Sequence, residues 1–240
     1  MALALACRPA KPVPKVAAEP KVRATVVTIR TTLTPENRTW THALMISKNV
    51  ARSGDEVDVW RLFDVGKKQV TFVDDIAKTY RTESLAALTD QHRKAFAQRA
   101  DDLPRAQWSA TDEKRNVQGV EAMQSLVKMG AYQRQLWIAK HPLIPEELFA
   151  MMRASDPAPS PIAGVATAVD DALLAVRGFP MIDRGELPFG NKKLVVDHEV
   201  VKIEQKDVPA SWFVVPAGYQ AYPARNAGSP VTPAGSRPPG

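Results

Sequence analysis

The residues able to do chemistry are few and scattered. The four histidines, His42, His92, His141 and His198, include no pair at metal-ligand spacing. His42 falls on a strand face with Trp40 and Leu44, which reads as a satisfied core or rim histidine. His198 stands between Asp197 and Glu199 and reads as an exposed cross-strand partner. His92 lies mid-helix, and Lys140-His141-Pro142 reads as a loop at a strand end. Carboxylates occur as adjacent pairs: Asp55/Glu56, Asp74/Asp75, Asp101/Asp102 and Asp170/Asp171. Neighbours on a strand face opposite ways, and on a helix they diverge by about 100°, so none makes a converging acid–base pair. G-x-S-x-G, H-E-x-x-H, P-loop and G-x-G-x-x-G patterns are all missing. The one cysteine, Cys7, excludes an intrachain disulfide framework and a cysteine-based zinc site. These residues predict no enzyme, no metal and no cofactor.

The aromatic residues carry more information. Trp40, Trp60, Phe63, Phe72, Tyr80, Trp108, Trp137, Trp212 and Phe213 fall on or near predicted strands. Met123, Met129, Met151 and Met152 add flexible, polarisable side chains suited to adaptable apolar surfaces. A curved sheet would turn most of these rings toward its helices. They fill a dry core there, or line a pocket for an apolar ligand. On the second reading the lining is Trp40, Leu44, Trp60, Phe72, Tyr80, Met123, Trp137 and Met151.

The elements that position them alternate with a strand period over most of the chain. Residues 22–34 are β-branched, Pro35-Glu-Asn37 turns, and 38–49 alternate Trp40, His42, Leu44 and Ile46 against Thr41, Ala43, Met45 and Ser47. Strands over 56–65, 69–73 and 79–82 complete a meander with short antiparallel connections. The period then becomes helical over 84–101, with Ser84 as N-cap and Leu103-Pro104 as the stop. Strands follow at 106–114, 120–128 and 131–140. A short helix is expected at 145–154, a rigid loop at Asp156–Pro161 and an alanine-rich helix at 162–176. A final antiparallel set covers 180–188, 192–206 and a segment closing near Val215.

Charge and proline separate the ends from this core. All of the formal net charge of +6 lies in residues 1–23 and 216–240, and those two stretches hold half of the 20 prolines. Such arms cannot bury enough apolar surface to fold alone, and the neutral remainder is a poor nucleic-acid module. No apolar run reaches 18 residues, so no transmembrane helix is predicted. Met1-Ala-Leu-Ala-Leu-Ala-Cys7 resembles the end of a secretory signal with a lipidation cysteine, although it lacks a basic start and its apolar stretch is short. The expected organisation is a tether at 1–21, one domain at 22–222 and a Pro/Gly-rich tail at 223–240.

Several phrases resemble a known family: Val57-Asp-Val-Trp-Arg-Leu-Phe-Asp64, Val70-Thr-Phe-Val-Asp-Asp-Ile-Ala-Lys-Thr-Tyr80, Gln135-Leu-Trp-Ile-Ala139 and Asp207-Val-Pro-Ala-Ser-Trp-Phe-Val-Val-Pro-Ala-Gly-Tyr219. They are similar to bacterial envelope proteins of the domain-of-unknown-function 4412 type. More broadly they resemble the lipoprotein-localisation-factor fold of LolA, LolB and related carriers. The resemblance implies an α+β fold: a curved antiparallel sheet, an unclosed barrel, wrapped over a few helices. It also implies a non-enzymatic protein of the periplasm or membrane-anchored envelope that binds a lipid or lipoprotein acyl chain between sheet and helices. The N-terminal anchor would then meet the membrane surface through a lipidated Cys7. The long insert at 141–176 departs from the carriers. The competing expectation is a structural or protein-interaction module with a solid core.

Overall fold

The computed structural model describes residues 19–54, 58–97, 106–155, 173 and 176–222. Twelve strands form one sheet: β1 Lys21–Thr34, β2 Arg38–Ser47, β3 Val50–Ser53, β4 Val59–Asp64, β5 Gln69–Asp74, β6 Thr79–Ser84, β7 Gln107–Val117, β8 Val120–Met129, β9 Tyr132–Ala139, β10 Phe179–Phe189, β11 Lys192–Pro209 and β12 Gln220–Ala221. Their order is β12-β6-β5-β4-β3-β2-β1-β11-β10-β9-β8-β7. Every pairing is antiparallel except that of β12 with β6. The two ends of the order, β12 and β7, do not meet, so the barrel is unclosed. Two meanders, β1–β6 and β7–β11, are thus joined by β1 against β11, which pair along the full length of β1.

Two helices accompany the sheet: α1 Leu85–Ala97 and α2 Leu148–Ser155. Ser84 caps α1 as expected, its Oγ accepting the Ala87 N–H at 3.1 Å. In α2, Leu148, Phe149, Ala150, Met151, Ala154 and Ser155 are all buried, so apolar contact surrounds the helix on more than one side. Leu148, Phe149, Met151 and Ala154 share one core with Val27, Leu44, Phe63, Val70, Leu136, Met181 and Val200. The side of the sheet that carries Leu44, Phe63, Val70 and Leu136 against α2 is its inner face. A smaller cluster on the opposite face gathers Trp60, Leu62 and Val73, with Val50, Tyr80, Val215 and Tyr219 packed against it.

Three expectations change in detail. The strand expected over 38–49 ends at Ser47, because Lys48 turns the chain with φ 53° and a separate β3 begins at Val50. The short helix starts at Leu148 rather than at residue 145, after a turn in which the Leu148 N–H reaches the Pro145 carbonyl at 3.1 Å. The segment after β11 does not close as an antiparallel strand. A single 3-10 turn, Ala210–Phe213, leads the chain over β3, and β12 then adds to β6 in parallel. The helix expected at 162–176, apart from helical Leu173 and the non-helical Val176, lies outside the described residues, as do the loop at 156–161, most of both arms and Cys7.

Candidate functional site

On β2 the expected alternation holds: Leu44 and Ile46 are buried on the inner face, and Trp40 and His42 continue it. Register then carries one row across five strands. Trp40 of β2 faces Thr31 of β1, Thr31 faces His198 of β11, His198 faces Asp183 of β10, and Asp183 faces Leu136 of β9. Directly paired residues share a face, so the row lies on the concave side. It is capped at one end by Trp40, which is 43% exposed, and at the other by fully buried Leu136.

A β-bulge places His198 in this row. C-terminal to it, Ile203 pairs with inward Val27 and Lys202 pairs with Thr28. The register then slips by one residue, so that Ile29 faces Val200 and Thr31 faces His198. Without the extra residue, His198 would share the parity of Lys202 and point away from the core. The expectation of an exposed His198 is therefore corrected: the residue is partly buried and its ring is hydrogen-bonded, Nδ1 lying 2.8 Å from Thr31 Oγ1. The doubled Val200-Val201, which breaks the alternation, is the sequence signal that marks the slip.

Beside His198 lies a buried ion pair. Arg134 Nε donates to Asp183 Oδ1 at 2.7 Å and Nη2 donates to Oδ2 at 2.5 Å, a bidentate fork with both side chains under a tenth exposed. Burial pushes the Asp183 carboxyl up, but the Arg134 guanidinium and its hydrogen bonds outweigh that, helped by His198 and by Arg153 of α2, and hold it below the usual carboxylate range. Burial likewise pushes His198 below its ordinary value; Arg134, His42 and Arg153 act in the same direction and Asp183 opposes them. His198 is therefore a neutral imidazole at pH 7. Thr31 is fully buried, and its hydroxyl hydrogen needs an acceptor. Among the described residues that acceptor is His198 Nδ1, which puts the ring proton on Nε2.

The residues expected to line a ligand pocket do not all share this face. Trp40 and Leu44 do, and Met151 of α2 packs into the same core. Phe72 joins them through Arg61, its cross-strand partner, whose guanidinium reaches Ser155 Oγ of α2 at 3.5 Å. Arg81 and Arg61 flank the Phe72 ring at 4.1 and 5.8 Å. Trp60 and Tyr80 stand on the opposite face, in the cluster with Leu62 and Val73. The Arg52 guanidinium covers Trp60 at 3.9 Å. Trp137 is buried in the same core cluster as Leu136, Leu44 and Met151, although it alternates with Leu136 on β9, and it carries Arg115 over its ring at 4.7 Å. Met123, near the β7 edge, is 48% exposed. Strand alternation explains the division: Trp60 and Phe63 sit three apart on β4 and must face opposite ways.

A separate surface hollow of about 430 Å³ lies where α1 begins, lined by Lys67, Lys68, Ser84, Leu85, Ala86, Thr89, Asp90 and Arg93. None of the expected pocket residues borders it. Among the described residues, no three histidine, cysteine or carboxylate side chains gather as a metal site, and no helix is long and apolar enough to cross a membrane.

A half-open sheet with a polar row set into an apolar concave face is the arrangement that comparison with known proteins has to explain. The family described as domain of unknown function DUF4412 matches residues 46–219, and the chain belongs to that family. No curated protein matches it. Among solved structures it is similar to PNGF-II in two crystal forms. The first, in space group C2, has 9% identity and a TM-score of 0.43, covering 83% of this chain and 30% of the other. The second, in P21, has 7% identity and a TM-score of 0.38, covering 79% and 29%. The chain thus spans less than a third of the length of either.

Proposed function

We propose that this protein is a non-enzymatic binding protein of the bacterial cell envelope. Its ligand is a lipid or a lipoprotein acyl chain, held between the concave face and the helices in the manner of the lipoprotein-localisation-factor carriers. The observation that carries the reading is the amphipathic lining of that face. Leu44, Phe63, Val200 and Met151 make its middle apolar, and the Thr31–His198–Asp183 row turns polar toward the exposed Trp40. An acyl chain with a polar head has the same division. Burying a dozen methylenes gains on the order of 10 kcal/mol before entropy costs. The N-terminal segment, with Arg8, Lys11 and Lys15 and no acid before Glu19, fits a tether near an anionic membrane, anchored through a lipidated Cys7.

The density of the core favours a second reading. Val27, Leu44, Phe63, Leu136 and Met151 are at most 1% exposed, as in a solid interaction module that takes no ligand. Native mass spectrometry of the protein from its own host, followed by organic extraction, separates the two. A co-purifying lipid or acylated peptide supports the carrier. A clean apo mass, with no subsequent uptake of a fluorescent fatty acid, overturns it in favour of the solid module.

A further inference from the structure

The polar row allows a statement about which ligand head the concave face would take, resting on the reading that an acyl chain binds there. Three observations converge on His198. Its Nδ1 is occupied by Thr31, whose buried hydroxyl has to donate. Its Nε2 therefore carries the proton, and among the described residues no partner receives it. The residue is partly rather than fully buried, on the inner face, in the row that leads from the exposed Trp40 to Asp183. A neutral N–H at the rim of an apolar surface recognises an acceptor and discriminates against a head that can only donate.

The neighbours narrow the choice. The Asp183 carboxylate is committed to the Arg134 fork, so that pair presents little net charge. Arg153 of α2 acts on both Asp183 and His198. One N–H beside a paired carboxylate suits a single acceptor oxygen, that of a carbonyl or of a carboxylate. It does not suit a phosphate dianion, which needs several donors and would face Asp183.

We propose that His198 is a ligand-binding residue whose Nε2–H donates to the acyl carbonyl oxygen of the ligand, so that the site takes long-chain carboxylates or acyl esters. Thr31 is a positioning residue that fixes the tautomer. The two sources of that carbonyl, a free fatty acid and an esterified acyl chain, share the hydrogen bond and differ in charge.

The test is displacement of a fluorescent apolar probe at pH 7 from the delipidated full chain. The competitors have equal chain length: dodecanoate, methyl dodecanoate and dodecylammonium. The wild type is expected to favour the two acceptor heads over the donor-only head by on the order of tenfold. His198→Phe keeps the ring volume and removes the donor, and should bring the three within about twofold of one another. His198→Gln, which retains an N–H, should keep part of the preference. That variant also guards against loss of fold in the first, and circular dichroism is read on both. Dodecanoate bound well ahead of its methyl ester marks a free acid as the ligand, and parity marks an acyl ester. Equal binding of all three by the wild type, or a preference that survives His198→Phe, overturns the assignment while leaving the binding protein intact. Failure of every competitor and of the probe itself overturns both.

Discussion

Breaking the Arg134–Asp183 pair from one side should cost this protein a large part of its stability. The two side chains are 9% and 8% exposed and joined by two charge-assisted bonds. Arg134→Leu takes from the buried Asp183 carboxylate the fork that holds it, and Asp183→Leu takes the same two bonds from the buried guanidinium. The penalty for an uncompensated buried charge is about 3–5 kcal/mol. For a chain of this size that corresponds to roughly 6–20 °C in melting temperature. The double variant Arg134→Leu/Asp183→Leu removes both charges and keeps apolar volume, so it should lie well above either single variant and near the wild type. Urea unfolding of the four proteins at pH 7 closes the cycle. Single variants within about 1 kcal/mol of the wild type would refute the argument, because that is the worth of a solvated surface pair. A double variant as unstable as the sum of the singles would refute it as well.

Four further outcomes follow from the same structure. Burial lowers the His198 pKa, so its neutral form is the one the fold favours. Stability is then complete above the unfolded value near 6.5 and declines as pH falls below it. Asp183, also lowered, keeps its contribution above the unfolded carboxylate value near 3.9 and loses it only in stronger acid. A fall in melting temperature between pH 7 and pH 5 that is shallower in His198→Phe is therefore expected, and an unchanged slope would exclude His198 as a source. Gly178→Ala should destabilise by about 1–3 kcal/mol in urea, because φ is +111° and the new Cβ would stand 2.8 Å from the Ala139 carbonyl oxygen. Tyr219→Phe removes the hydrogen bond to Asp75 at 2.7 Å and the one from Lys78 at 3.1 Å. It should speed amide exchange at Gln220 and Tyr222 severalfold while leaving β9 and β10 unchanged. Leu136→Ala, at a fully buried position, should cost about 2–5 kcal/mol, with circular dichroism confirming a retained sheet.

The sequence by itself determined what depends on neighbours along the chain. The alternation of Trp40, His42, Leu44 and Ile46, the turns at Pro35–Asn37 and Gly66–Lys68, and the Ser84 cap are local, and the structure repeats them. The antiparallel class of the sheet was legible for the same reason: short connections leave little other choice. Tertiary structure alone decided the rest. The union of the two meanders joins residues as far apart as Arg23 and Asp207, 184 positions along the chain, and no period announces it. That pairing carries the bulge at Val200-Val201, the bulge reverses the parity of the preceding residues of β11, and the reversal brings His198 beside Thr31 and Asp183. The pleat also divided the aromatic residues, sending Trp60 and Tyr80 to the face opposite Phe72 and Leu44. Periodicity says which residues of one strand share a face. Which face becomes the interior, and where a strand changes parity, is set by long-range register, because burial is a property of two strands meeting.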